Sequence, residues 1–209
     1  NPIARKRLSF EEVKREAKAL AQSGLRQILV LSGESRQDSS LTYIRGCIGV
    51  LKKYFSSIAI EIYPLEEEEY AQMAQEGVDG LTLYQETYDQ PLYKSLHGKG
   101  PKSNYLFRLD APQRAASARL RQITIGALLG LGEFRQEVFF TGLHARWLAK
   151  RYPEVEVGLA LPRLQPQVGN YAPRCRLEDR EFAQMLIALR LFLPRQGISI
   201  STRESAELR

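Results

Sequence analysis

Five consecutive residues, Tyr84-Gln85-Glu86-Thr87-Tyr88, offer an amide, a carboxylate, a hydroxyl and two phenols. They follow Gly80-Leu81-Thr82-Leu83, a short apolar run that reads as a buried strand. In an α/β barrel, polar groups at the C-terminal end of a strand face the active site, and those at the other end serve stability. The plain alternative is a polar loop whose Thr or Asp caps the next helix. Taken alone, the stretch fits that alternative better. Cys47 and Cys175 lie far apart and form no metal-ligand spacing. No G-x-G-x-x-G and no P-loop follows any strand. His97, in His97-Gly98-Lys99-Gly100-Pro101-Lys102, reads as a loop histidine.

The elements around this stretch alternate. Ser9-Phe10-Glu11-Glu12 is a capping box that opens a helix carrying Val13, Ala17, Leu20 and Ala21 on one face and ending at Gly24. Gln27 to Leu31 is an apolar strand, and Leu41 to Phe55 a helix. Ile58 to Tyr63 is a strand, and Glu66 to Glu76 an acidic helix whose glutamates suit its N-terminus. After Gly80 to Gln85 comes a long connection, Asp89 to Phe107, then a helix from Arg108 to Ala118 and a strand from Gln122 to Leu129. Arg135 to Tyr152 is a helix with Phe139, Leu143, Trp147 and Leu148 as most of its apolar face. Glu156 to Leu161, a helix from Arg176 to Leu191, and a strand from Gly197 to Ser201 complete the series. Strands alternating with helices mean βαβ units and a parallel sheet. Fully apolar strands imply cover on both faces. About six strands make an incomplete (β/α)₈ barrel, since a complete one needs eight and about 250 residues. The expectation is one domain over 1–209, the middle of a longer chain.

Composition agrees. The 209 residues carry 26% charged and 44% hydrophobic side chains, which excludes disorder. No apolar run reaches the roughly 20 residues that span a bilayer, and no apolar segment follows the basic start Asn1 to Arg7, so neither a membrane span nor a signal peptide is expected. Two dispersed cysteines suit a reduced, cytoplasmic compartment. The net charge of +6 is scattered and poor in interleaved aromatics, so a nucleic-acid partner is not expected.

Several strand ends resemble the radical S-adenosylmethionine enzymes, and within them the aromatic amino-acid lyases. Leu31-Ser32-Gly33-Glu34 is similar to the G-G-E segment that holds the methionine ammonium. Tyr84-Gln85-Glu86-Thr87 resembles the segment whose side chains bond the ribose. Arg108-Leu109-Asp110 resembles the arginine that pairs with the methionine carboxylate, and Ile125 to Glu133 the segment packed on adenine. Gly100-Pro101-Lys102, Leu161 to Pro166 and Ser201 to Ser205 also match, in order. The cluster motif C-x-x-x-C-x-x-C is absent, and cluster ligands come as a closely spaced thiolate set. Asn1 to Ser9 resembles the segment just after it, so the cysteines are expected upstream of Asn1 and no metal ligand within the chain.

The resemblance implies an α/β fold, a partial (β/α) TIM-type barrel of the radical S-adenosylmethionine class with its first and last strands missing. It implies cofactor contacts at Ser32, Gly33, Glu34, Glu61, Gln85, Glu86, Arg108, Gly126 and Leu128, with Gly33 and Gly126 letting backbone approach a ligand. Arg163, Ser201 and Tyr63 are implied substrate contacts. The implied cofactors are S-adenosylmethionine and a [4Fe–4S] cluster. A 5′-deoxyadenosyl radical would cleave the Cα–Cβ bond of L-tyrosine to 2-iminoacetate (dehydroglycine) and p-cresol, for the thiazole of thiamine. A flavodoxin or ferredoxin reductant and thiazole synthase are the implied partners. Alternatives are the hydrogenase-maturation or tryptophan-cleaving members and, outside enzymes, a barrel-derived binding fragment. Against these roles, Arg163 could pair with a neighbouring carboxylate, Glu61 could be structural, Ser201 could cap a turn, and Tyr63, Tyr84 and Tyr88 could be packing residues. Arg108 at a helix start would oppose the helix dipole, which favours a ligand role.

Overall fold

The computed structural model describes residues 6–165 and 172–208. The chain start through Arg5, Pro166 of the 161–166 segment, and Arg209 lie outside the described residues. Six strands form one sheet in chain order: β1 (Gln27–Leu31), β2 (Ser57–Glu61), β3 (Gly80–Tyr84), β4 (Gln122–Gly126), β5 (Glu156–Ala160) and β6 (Gly197–Ser199). β1 pairs in parallel with β2 from Gln27↔Ser57 to Leu31↔Glu61, β2 with β3, and β5 with β6. Helices lie between successive strands: α1 (Phe10–Gln22) before β1, then α2 (Leu41–Leu51), α3 (Glu67–Glu76), α4 (Gln90–His97), α5 (Tyr105–Leu109), α6 (Ala111–Ser117), α7 (Phe134–Arg151) and α8 (Asp179–Phe192). This is the parallel α/β topology of an incomplete (β/α) barrel.

The chain divides into two compact units. The first holds the residues up to Thr82 with Asp110–Ile123. Ser9 and Glu12 form the expected capping box: the Glu12 N–H donates to Ser9 Oγ at 3.3 Å and the Ser9 N–H to Glu12 Oε2 at 2.8 Å. α2 buries Ile44, Cys47, Ile48 and Leu51, and α3 buries Tyr70 and Met73. In β2, Ile58 and Ile60 are buried while Ser57, Ala59 and Glu61 are half-buried. Asp79, just before β3, accepts from the Ser57 hydroxyl (3.0 Å), the Ile58 N–H (2.9 Å) and Arg121 (2.9 Å), so one carboxylate ties together three strand starts. The expected cover on both faces fails at β1, where Leu31 is 63% exposed and Leu29 is also exposed. Apolar residues fill both faces of that strand, but it lies at the edge of the sheet.

The second unit holds Leu83–Leu109 and the residues from Thr124 onward. Three expectations change here. The connection after Asp89 contains α4, capped by Asp89 Oδ1 on the Leu92 N–H at 2.9 Å, with Pro91 in its first turn. The expected helix from Arg108 to Ala118 is two helices, because Pro112 lacks an N–H and so starts a new helix at Ala111. Arg108 therefore sits in the last turn of α5, where a cation is favoured, and the dipole argument for a ligand role is withdrawn. Of the expected apolar face of α7, Leu148 is buried but Phe139, Leu143 and Trp147 are exposed; Phe134, Val138, Thr141 and Ala145 are buried instead. Small residues let the helix approach its neighbours and leave the large ones outside.

Candidate active site

Glu86 follows β3 directly and takes a left-handed backbone, φ 70°. A non-glycine residue there costs on the order of 1 kcal/mol or more and persists only where its surroundings hold it. They do so on three sides. The Leu128 N–H donates to the Glu86 carbonyl at 2.8 Å. Lys102 Nζ donates to Glu86 Oε1 at 2.5 Å, and Arg108 Nη2 to the same oxygen at 3.3 Å. Arg108, itself buried, also donates from Nε to the Tyr84 carbonyl at 2.7 Å. Burial pushes the Glu86 carboxyl up, but Lys102 and then Arg108 outweigh it and hold it below its ordinary range.

Glu137 completes the turn. It is buried in the first turn of α7, accepts the Thr87 hydroxyl proton, and takes the Tyr88 N–H at 2.7 Å on its other oxygen. The Asp89 N–H in turn donates to Thr87 Oγ1 at 3.1 Å. Burial raises the Glu137 carboxyl, opposed by the Thr87 and Tyr88 bonds. Thr87→Val keeps the side chain's shape and removes the donor, so it should cost about 2 kcal/mol, the range for a hydrogen bond to a charged group. Thr87→Ser should keep most of that stability. Urea unfolding midpoints measure both, and equal midpoints for Val and wild type would contradict the clamp.

Beside this cluster, the Tyr88 hydroxyl lies 2.9 Å from His144 Nδ1. Burial lowers the His144 pKa to about 4 and raises that of Tyr88, so near pH 7 the imidazole is neutral and the phenol keeps its proton. The phenol then donates to Nδ1, which places the imidazole proton on Nε2. Gln85 is 4% exposed, and neither end of its amide has a hydrogen-bond partner among the described residues.

The remaining candidates are placed as follows. Ser32, Gly33, Glu34, Glu61 and Tyr63 belong to the first unit, where the Ser32 N–H donates to the Glu61 carbonyl at 3.2 Å and the Tyr63 hydroxyl to the Ser39 carbonyl at 2.7 Å. Gly126 is required by its own sheet, because a Cβ there would lie 1.7 Å from the Ala160 carbonyl oxygen; ligand approach is not needed to explain it. Arg163 donates from Nε to Glu204 at 2.9 Å, with Nη2 on the same carboxylate, and from Nη1 to Asp179 at 2.7 Å and the Leu177 carbonyl at 3.0 Å. The neighbour-pairing reading of Arg163 describes this geometry. Ser201 Oγ accepts the Arg203 N–H at 3.2 Å, a local cap.

Residues 160–209 match the Biotin and Thiamin Synthesis associated domain. The chain is 35% identical over 206 residues to the 2-iminoacetate synthase of Escherichia coli, covering 98% of this chain and 55% of that one. The structure matches HydG, a maturase of the [FeFe]-hydrogenase, with a TM-score of 0.91 and 29% identity, over 100% of this chain and 48% of that one. HydG from Carboxydothermus hydrogenoformans gives 0.90 at 34% identity, over 100% and 49%. These likenesses support kinship with the radical S-adenosylmethionine aromatic amino-acid lyases. It spans about half the length of the curated relatives it matches.

For this family the cofactor question divides. The orphaned Gln85 amide and the strained Glu86 suit a polar ligand such as S-adenosylmethionine, whose ribose and methionine ends need donors and acceptors. The chain's residues do not suit a cluster: Cys47 is buried in α2, Cys175 stands apart, and no metal-holding group occurs among the described residues. No described helix is long and apolar enough to cross a membrane.

The sequence reading missed Lys102, Glu137 and His144. Lys102 lies in the matching segment Gly100-Pro101-Lys102, whose sequence assigns it no role. Glu137 follows Gln136 at a helix start, where a carboxylate is usually solvated, and nothing in the sequence showed that Thr87 would reach it.

Proposed function

We propose that the whole protein cleaves the Cα–Cβ bond of L-tyrosine to dehydroglycine and p-cresol for thiazole synthesis, with this chain as the central part of the enzyme. The observation that carries this reading is the Glu86 carboxylate, fixed by a left-handed turn between Lys102 and Arg108 next to the unpartnered Gln85 amide. S-adenosylmethionine would supply the radical chemistry, with a [4Fe–4S] cluster that this chain's own residues do not hold. The chain's own work is binding and orientation. Glu86 accepts hydrogen bonds from the ribose diol, with Gln85 and Glu61 assisting. The Arg108 guanidinium pairs with the methionine carboxylate, Ser32 to Glu34 hold its ammonium, and the Gly126 to Leu128 backbone lies along adenine. Tyr63 and Ser201 contact tyrosine. The tyrosine carboxylate reaches Arg163 by displacing Asp179, whose side chain is 60% exposed, while the Glu204 side chain stays buried at 1%. Partners are tyrosine, a flavodoxin or ferredoxin reductant, and thiazole synthase.

The test is to give the full-length, iron-reconstituted protein S-adenosylmethionine, a reductant and either tyrosine or tryptophan. p-Cresol from tyrosine supports the reading, and its absence overturns it. The similarity to both HydG structures favours one second reading, hydrogenase maturation. An additional iron–sulfur signal in the full-length protein would support that reading.

A further inference from the structure

The outer faces of α7 and α8 carry a pattern that the proposed reaction does not use. α7 exposes Phe139, Leu143 and Trp147; α8 exposes Ile187, Leu191 and Phe192, with Leu191 79% exposed. The two helices pack closely: a Cβ on Gly142 would lie 3.1 Å from Leu189 and 3.4 Å from Phe192, and the Arg146 guanidinium sits 5.2 Å from the Phe192 ring centroid. Exposed apolar side chains gathered on two packed helices suit an interaction site, and tryptophan and arginine are over-represented among the residues that carry interface energy.

Charge on the face divides: Glu133, Glu178, Asp179 and Glu181 lie at the helix N-termini, and the stretches beyond them are one-sided. From Val138 to Pro153 and from Phe182 to Gln196 there is no carboxylate, while Arg146, Lys150, Arg151, Arg190 and Arg195 supply cations. We infer that this face docks a protein whose surface has an apolar centre and an acidic rim. The cations steer the approach and the aromatic and aliphatic side chains supply the contact. The inference is independent of the reaction proposed above.

The test places a benzophenone amino acid at position 191 of the full-length protein in its own cells and identifies cross-linked peptides after irradiation. The expected result is one principal partner protein, joined through a segment of net negative charge. Purified, that partner should bind the unlabelled protein more weakly as salt rises. It should lose affinity at least about tenfold against Lys150→Glu/Arg195→Glu, the cost of placing like charges across an interface. Thermal melting of that variant separates lost binding from lost folding. Cross-links to a second copy, to lipid, to the protein's own other residues or to a partner segment without net negative charge would overturn the inference. So would no cross-link, or binding insensitive to the double substitution.

Discussion

Arg108→Met is expected to destabilise the chain by about 3–5 kcal/mol, the cost of removing one partner from a buried charge pair. Arg108 is 4% exposed, and its loss strips the Tyr84 carbonyl of a 2.7 Å bond and leaves Glu86 facing Lys102 alone. Methionine keeps the apolar length of the side chain, so the loss reports the fork rather than a cavity. Arg108→Lys should recover only part of it, because one ammonium cannot serve the carbonyl and the carboxylate with the geometry of a guanidinium. In the full-length protein the same substitutions should weaken S-adenosylmethionine binding, measured by equilibrium dialysis. A stability loss under about 1 kcal/mol, the scale of an exposed pair, would contradict the buried role given to Arg108.

Acid should act through His144. Its folded pKa is held near 4 against an ordinary 6.5. The unfolded chain therefore takes up a proton at this position before the folded one does. Stability is fully present above pH 6.5 and falls as the pH drops toward 4. At about 1.4 kcal/mol per pK unit, the loss attributable to this residue is about 3 kcal/mol. Carboxylates with lowered pKa, such as Glu69 and Glu86, also lose stability in acid, below the carboxylate range. The informative quantity is the difference between wild type and His144→Gln. The variant should show a flatter profile between pH 6.5 and 4 in urea unfolding, and parallel profiles would contradict the neutral, Tyr88-bonded imidazole.

The strand and helix alternation was legible because each strand is a short apolar run and each crossover a helix with capping or glycine signals. Ser9 with Glu12 announced α1 correctly. Failures occurred where tertiary packing overrides local pattern. α7 offered two apolar faces, and periodicity selected Phe139, Leu143 and Trp147, whereas the interior took Val138, Thr141 and Ala145 because smaller side chains permit closer contact. The dipole argument that supports a ligand role for Arg108 needs a helix start, yet Pro112 divides that helix and leaves Arg108 at an end. At the candidate site, the stretch 84–88 drew attention through its chemistry. Its supports, Lys102 and Glu137, lie 16 and 50 residues away from the groups they bond, and only the folded backbone brings them there. Gly126 was noticed for a ligand, but the Ala160 carbonyl is what requires it.

The most direct measurement follows both products of the full-length, reduced protein given S-adenosylmethionine and tyrosine in heavy water. Equal amounts of 5′-deoxyadenosine and p-cresol are expected, with deuterium from the tyrosine amino group incorporated into the nucleoside. 5′-Deoxyadenosine formed without p-cresol, or without deuterium, would contradict the tyrosine cleavage proposed for the whole protein.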